Sequence, residues 1–249
     1  MYLGDSPGNF GQISFYDAAR GECYRDFGDP IGVASRVLIQ GLFGILPDAL
    51  NQQIILRPGF PDDWDKASVS TPDINYRFTR KEDTDTYHIT QRFQTPLHPV
   101  LHVNARKEKI RSVKVNGVPA TWQSIESAHG YPLLSIQAEG TSSTTITIEW
   151  EGAPLHTLAV QEPVITSNGK LALQIPSGAS ISQVYDPQSV LANHTVEATA
   201  FNAQIKGEPG HHTFFVYTHQ GEMDWWQPVN IYIETVSYTH LRAHETRRH

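Results

Sequence analysis

The chain has little of what would place it in several large functional classes. Its 249 residues include one cysteine, Cys23, so an internal disulfide framework is excluded. A compartment does not follow from this, because many secreted bacterial proteins also lack disulfides. Basic residues are outnumbered, with 19 Lys and Arg against 26 Asp and Glu, and the net charge of -7 argues against nucleic-acid binding.

Motifs for cofactor chemistry are also missing from the sequence. Nothing in it matches a phosphate-binding loop, a dinucleotide-binding glycine fingerprint, a Gly-x-Ser-x-Gly elbow or a zinc-ligand spacing. We therefore expect no cofactor and no metal. Neither a signal-peptide pattern nor a membrane-spanning run is visible, but for a piece of a longer protein this says nothing about secretion.

Among the features that the sequence does contain, the first is a candidate helix. Asp29 can cap the free amides of a first turn, and Pro30 suits the first helical position because it lacks an N–H group. The run from Ile31 to Leu46 is apolar on nearly every face and is shorter than a membrane span needs. The pattern predicts a buried helix, yet the chain offers almost no other helix for it to pack against.

From about Ile54 the apolar pattern alternates every second residue, which predicts strands. The Asn116-Gly117 pair, which follows the predicted strand Ile110–Val115, is typical of a hairpin turn. This spacing favours an antiparallel β-sandwich over residues 51–152. The predicted strands are Ile54–Arg57, Ala67–Thr71, Ile74–Arg80, Thr86–Phe93, Val100–Asn104, Ile110–Val115, Leu133–Ala138 and Thr144–Trp150.

The stretch Gly152–Pro154 predicts a boundary before a second, smaller β domain over residues 153–235. We expect this domain to be immunoglobulin-like, and the pattern fits both a complete domain and one that lacks its final strand. The fold class expected for the chain is therefore mainly β. The predicted strands of this part are Thr157–Val160, Lys170–Ile175, Ile181–Tyr185, Val196–Ile205, His212–Thr218 and Val229–Glu234.

The last residues carry a different kind of signal. The string from Val236 to Thr246 resembles a translation of the transposase-adapter DNA used in short-read sequencing libraries. On that interpretation residues 236–249 are an artefactual tail and do not belong to the fold. The alternative is a natural tail rich in His and Arg that could bind a metal.

One polar cluster is a candidate carbohydrate site. Carboxylates, arginines and tyrosines hydrogen-bond sugar hydroxyls and supply acid–base chemistry at glycosidic bonds. The alternative is a solvated loop held by salt bridges. The cluster comprises Tyr16, Asp17, Arg20, Glu22, Tyr24, Arg25, Asp26 and Asp29.

Two aromatic motifs are open to a structural and a functional interpretation. Phe60–Trp64 contains stiffening prolines and is typical of structural packing at an interface between domains. Trp225 and Trp226 could form a sugar-stacking platform, but successive strand residues point to opposite faces, which favours packing. His211 and His212 have the same opposed geometry, and no metal is assigned to them.

Part of the chain resembles bacterial six-hairpin α-toroid glycosidases, including α-L-rhamnosidase-like enzymes, glycoside phosphorylases and large glycosidase-like Bacteroidetes polypeptides. Gly28–Arg36 and Gly41–Leu50 are similar to the last helix of the toroid. Ile54–Pro58, Phe60–Trp64 and Ser68–Tyr76 are similar to the start of the β-sandwich that follows it. The convincing similarity covers about fifty residues.

The resemblance implies the C-terminal part of a periplasmic or extracellular glycoside hydrolase, with an inverting mechanism. Residues 1–50 would be the loop and last helix of a truncated toroid, and the rest of that toroid would be the partner domain. The candidate substrate-binding residues, which would lie at or near a sugar subsite, are then Tyr16, Arg20, Glu22, Arg25 and Asp29. The catalytic residues stay unknown, because the general acid of these families comes from an earlier hairpin, so this chain alone is expected to be inactive.

Two other interpretations compete with this one. The chain could be a non-catalytic carbohydrate-binding module, in which sugar contacts fall on Trp122, Tyr131 or Trp225–Trp226. It could also be purely structural and brace the toroid. The structural interpretation predicts a large exposed apolar patch on the helix when the chain is alone.

Overall fold

The computed structural model of the chain describes residues 29–156 and 162–234. Within these residues the protein is mainly β, with mostly antiparallel strand pairs, and this confirms the predicted fold class. Helix α1 (Asp29–Arg36) continues as a π-helix over Val37–Leu42, and a 3-10 turn covers Ala49–Asn51. The side chains are described from Val33 onward.

Eighteen strands follow the helix in the described part of the chain. They are β1 (Ile45–Asp48), β2 (Gln53–Leu56), β3 (Lys66–Ser70), β4 (Ile74–Lys81), β5 (Thr84–Gln91), β6 (His98–Asn104), β7 (Lys107–Val115), β8 (Val118–Pro119), β9 (Gln123–Ser124), β10 (Leu133–Gln137), β11 (Ser143–Pro154), β12 (Val164–Thr166), β13 (Lys170–Gln174), β14 (Ala179–Tyr185), β15 (Leu191–Val196), β16 (Ala200–Ile205), β17 (Gly210–Gln220) and β18 (Met223–Glu234).

The strands form four sheets, with the orders β1-β2-β6-β10-β9, β3-β4-β5-β11-β7-β8, β12-β18-β17-β14 and β13-β16-β15. The chain also divides into two compact units. The described residues of unit 1 fall within Met1–Val103, Lys114–Val118 and Ile136–Thr147, and those of unit 2 within Asn104–Val113, Pro119–Ser135 and Ile148–His249. The domain boundary suggested near Gly152 stays a prediction.

The helix differs from its prediction in length and in burial. It ends at Leu42, and Ile45 and Leu46 belong to β1 instead. The reason is Gly44, whose positive φ of 64° turns the chain so that Ile45 pairs with Leu56. The helix is not buried by the described chain, since Val37 is 63% exposed. This exposure agrees with the structural interpretation of the helix.

Unit 1 has an aromatic core beside that turn. The ring of Phe60 stacks on Phe78 at 5.1 Å and on Trp64 at 6.2 Å, and Phe43 meets it edge-on at 5.4 Å. Tyr76 is fully buried in the same cluster, and burial, with a smaller contribution from Tyr87, raises the pKa of its hydroxyl well above the usual value. The Phe60–Trp64 segment therefore packs on the core of its own unit.

Unit 2 contains a β-sandwich. The β12-β18-β17-β14 and β13-β16-β15 sheets contribute alternate apolar residues to one buried cluster, which includes Phe214, Ile231, Phe201 and Leu171. The rings of Phe201 and Phe214 stack across this core at 5.5 Å. Because inward residues alternate with outward ones, each sheet presents a second face to solvent.

Several strand predictions are refined by the structure. The predicted strand Val196–Ile205 begins only at Ala200, as β16, because the chain reverses after Val196, the last residue of β15, where the Glu197 N–H donates to the Ala200 carbonyl at 2.8 Å. The short parallel strand β12 was not predicted, and Thr157–Val160 lies outside the described residues. The Asn116-Gly117 turn is confirmed, with φ of 52° and 80° as a two-residue hairpin requires.

Candidate functional site: an aromatic surface on unit 2

The two neighbouring tryptophans of β18 lie on opposite faces of their sheet. Trp225 is 1% exposed, and its Nε1–H donates to Gln227 Oε1 at 3.2 Å. Trp226 is half-buried on the outer face. The sequence argument that the two cannot share one platform is therefore confirmed, and only Trp226 is available to a ligand.

The outer face of this sheet gathers four aromatic side chains, which we call the aromatic surface: Tyr185 of β14, Phe215 and Tyr217 of β17, and Trp226 of β18. Strand register brings them together, since Tyr185 pairs with Phe215 and Tyr217 pairs with Trp226. Alternation then puts Phe215 and Tyr217 on the same face. Tyr185 is 57% exposed and the other three are half-buried.

The rings of the aromatic surface touch one another. Tyr217 and Trp226 have centroids 5.0 Å apart, Tyr185 stacks on Phe215 at 6.2 Å, and Tyr185 meets Trp226 edge-on at 6.4 Å. Aromatic pairs in these geometries stabilise one another by about 0.5–1.5 kcal/mol beyond the area they bury. The contacts hold the rings in place before any ligand arrives.

A loop segment borders the aromatic surface at Trp226. The Trp226 N–H donates to the Ala128 carbonyl at 2.9 Å, and the Gly130 N–H donates to the Trp226 carbonyl at 2.8 Å. These bonds place the exposed His129 ring edge-on against Phe215 at 5.7 Å. Tyr131, which follows directly, is 47% exposed.

Polar pairs lie on both sides of the aromatic surface along the β17–β18 ladder. His219 Nδ1 lies 2.5 Å from Asp224 Oδ1 next to the Tyr217–Trp226 pair, and Thr213 Oγ1 donates to Asn230 Oδ1 at 2.8 Å beyond Phe215. Burial raises the pKa of Tyr217, with further contributions from the charges of Asp224 and Glu126. The Tyr217 hydroxyl is thus a neutral hydrogen-bonding group at ordinary pH.

The structure describes only some of the candidate residues that were named from the sequence. Tyr16, Arg20, Glu22 and Arg25 lie outside the described residues, and only the backbone of Asp29 is described. Trp226 and Tyr131 belong to or adjoin the aromatic surface. Trp122 is half-buried between β8 and β9 and makes no ring contact with it among the described residues.

Sequence reasoning missed three members of the aromatic surface. Phe215 and Tyr217 carried a local signal, since they alternate along one strand. Tyr185 carried none, because its position beside Phe215 depends on register between distant strands. The sequence also gave no sign that His211 lies 2.8 Å from Glu162.

Within residues 29–156 and 162–234, no three His, Cys, Asp or Glu side chains are grouped so that they could hold a metal ion. No helix in those ranges has both the length and the apolarity to cross a membrane.

Comparison with known proteins identifies no family. No protein-family profile matches the chain, and no curated protein matches it. Among solved structures it is similar to the N-terminal Ig1-2 module of the Drosophila receptor protein tyrosine phosphatase DLAR, with 10% identity and a TM-score of 0.22 over 61% of this chain and 91% of that one.

Two further solved structures overlap at a similar level. They are the N-terminal eight Ig domains of the Down syndrome cell adhesion molecule (9% identity, TM-score 0.22, 67% of this chain and 33% of that one) and the N-terminal periplasmic domain of ScsB from Proteus mirabilis (8%, 0.17, 67% and 98%). Structural similarities with TM-scores this low carry no argument about the chain.

Proposed function

We propose that the chain is the carbohydrate-binding portion of a carbohydrate-active protein and that the aromatic surface is its sugar platform. The observation that carries the proposal is the set of four contacting rings on one solvent-facing sheet surface. The apolar face of a pyranose carries C–H groups with partial positive charge, which complement the negative face of an aromatic ring. The flanking polar pairs would hydrogen-bond the sugar hydroxyls.

The proposal extends to the complete polypeptide through the resemblance to toroid glycosidases. We propose that it hydrolyses a glycan with inversion, in the periplasm or outside the cell. Tyr16, Arg20, Glu22, Arg25 and Asp29 would contact the sugar at the active site. The described β units would hold the glycan, and the general acid would come from the toroid.

A second proposed role rests on the exposed helix. Val33, Val37 and Leu38 form an apolar face that nothing in the described chain covers. A hollow of about 610 Å³ lies along this face. It is lined by residues of the helix between Ala34 and Leu42 and by Gly59. We propose that the toroid of the same polypeptide packs on this face, so that unit 1 braces the catalytic domain.

The sugar platform is tested by glycan binding to the complete chain. We expect Trp226→Ala to weaken binding of neutral oligosaccharides about tenfold, as loss of about 1.4 kcal/mol of ring contact would produce. Trp122→Ala removes a half-buried tryptophan outside the aromatic surface and should leave the dissociation constant within twofold. The measurement is isothermal titration calorimetry against a panel of neutral oligosaccharides, with urea unfolding to verify that each variant is folded.

Two results would overturn the platform. One is that no neutral oligosaccharide binds at millimolar concentration. The other is that Trp226→Ala and Trp122→Ala bind equally well, which would move any sugar contact away from the aromatic surface.

A further inference from the structure

The outer face of β3, β4 and β5 in unit 1 carries a second group of polar side chains. Register aligns them in two rows across the strands. Side chains that are opposite on neighbouring strands lie about 4.5–5.5 Å apart at Cβ, so each row is a set of direct neighbours. The rows are Ser68–Arg77–His88 and Ser70–Asn75–Thr90, and we call them the polar rows.

A hollow of about 410 Å³ lies over the polar rows and is lined by all six of these residues. That volume falls within the roughly 300–1,000 Å³ typical of small-molecule sites. Beside Val69 and Tyr76, the lining offers a guanidinium, an imidazole, an amide and three hydroxyl groups. The chemistry suits a ligand that is itself covered with hydroxyl groups.

Hydrogen bonds orient several of these groups. His88 Nδ1 lies 2.9 Å from Thr145 Oγ1, and its Nε2 lies 3.5 Å from Thr90 Oγ1. Ser70 donates to Asn75 Oδ1 at 2.6 Å, which fixes the amide and turns its NH₂ group into the available donor. The ring and the amide are therefore held on the sheet before a ligand binds.

Arg77 gives the hollow its charge. It is exposed, and within the described residues the structure records no hydrogen bond or ion pair for it. A guanidinium offers a planar fork of N–H donors that matches the two oxygens of a carboxylate. An arginine without a partner, beside a histidine and among hydroxyl groups, is suited to a carboxylate on a polyhydroxylated molecule.

We propose that the polar rows bind an acidic saccharide, with Arg77 paired to the carboxylate of a uronic acid residue. His88 and the Asn75 amide then hydrogen-bond the ring hydroxyls. The choice of a sugar rests on the proposed function, whereas the recognition of an oxyanion does not. The site lies in unit 1 and is made of residues separate from the aromatic surface, so the two sites are tested independently.

The experiment is a titration of the complete ¹⁵N-labelled chain with glucuronate and glucuronate-containing oligosaccharides, followed by NMR. We expect shifts at the amides of β3–β5 and a dissociation constant that rises at least tenfold in Arg77→Gln. Lys66→Gln is the matched control, because Lys66 is an exposed cation on the same sheet but outside the hollow. It should change the dissociation constant less than twofold.

Two further titrations distinguish binding at the polar rows from binding at the sugar platform and from unspecific anion binding. Trp226→Ala should leave glucuronate binding by the polar rows unchanged while it weakens neutral-sugar binding. Inorganic sulfate and phosphate should bind at least tenfold more weakly than glucuronate.

Three results would overturn the proposal: no shifts in β3–β5 at millimolar glucuronate, equal losses in Arg77→Gln and Lys66→Gln, or sulfate binding as tight as glucuronate. The last would mean that only an oxyanion is recognised. Urea unfolding of each variant verifies that losses do not come from misfolding.

Discussion

The carboxylate of Asp85 is 1% exposed and forms an ion pair with Arg80. Arg80 Nε donates to Oδ1 at 2.8 Å and a terminal nitrogen donates to Oδ2 at 3.3 Å, while the other donates to the Asp62 carbonyl at 2.9 Å. The guanidinium also lies 5.3 Å above the Phe78 ring. Burial disfavours its charge, but the hydrogen bond and the charge of Asp85 prevail and raise the pKa of Arg80.

We expect Arg80→Met to lower the free energy of unfolding by about 3–5 kcal/mol, because it removes the cation that is paired with a buried carboxylate. The matched control is Arg111→Met, which breaks the exposed 3.5 Å pair with Glu151 and should cost less than about 1 kcal/mol. Urea unfolding followed by tryptophan fluorescence measures both. Equal losses in the two variants would show that burial of Asp85 does not determine the energy of its pair.

Gly44 determines how the helix element passes into the first strand. Its φ is 64°, its carbonyl accepts from the Arg57 N–H at 2.9 Å, and Gly59 N–H donates to Leu42 at 3.0 Å. A Cβ on Gly44 would overlap the backbone of Arg57, which cannot rotate away as a side chain could. The turn therefore requires glycine for two reasons, backbone conformation and close approach.

We expect Gly44→Ala to destabilise the protein by more than about 3 kcal/mol, since strain at a positive φ alone costs about 1–3 kcal/mol. Gly117→Ala is the control, because Gly117 also has a positive φ of 80° but no atom lies within 4 Å of its added Cβ. The difference between the two variants in urea unfolding isolates the overlap with Arg57. If Gly44→Ala costs no more than Gly117→Ala, the close approach is not a constraint in solution.

On the scale of the whole molecule, the exposed helix face is the feature that most needs a partner. Large contiguous apolar patches are rare on monomeric proteins and mark interaction surfaces. Val33, Val37 and Leu38 supply such a patch, while Val118, at 65% exposed, is the sole exposed large apolar side chain of the short β8 strand. The helix face thus combines three exposed apolar side chains, whereas Val118 supplies a single one of the same type.

We expect the chain alone to bind the dye ANS and to self-associate through the helix face. The double substitution Val37→Gln and Leu38→Gln should reduce dye fluorescence at least twofold and shift sedimentation toward the monomer. Val118→Gln should change neither measurement. Equal effects of the double substitution and of Val118→Gln would argue against a covering partner for the helix. So would a wild-type chain that is monomeric and does not bind the dye.

The sequence by itself determined the secondary structure and the sides of the strands. Period-two alternation located most of the strands, the Asn116-Gly117 pair predicted its turn, and alternation assigned Trp225 and Trp226 to opposite faces. These are local properties, because they depend on residues one or two positions apart. One local prediction that was wrong is the helix end, because the apolar character of Ile45 and Leu46 suits a buried strand as well as a helix.

Only the tertiary structure decided which surfaces exist. Tyr185 meets Phe215, and Arg77 lies between Ser68 and His88, because strands that are distant or adjacent in sequence pair in one particular register. A shift of one residue would move each of these side chains to the opposite face. Register is fixed by burial of the opposite face of the whole sheet, which no single stretch of sequence contains.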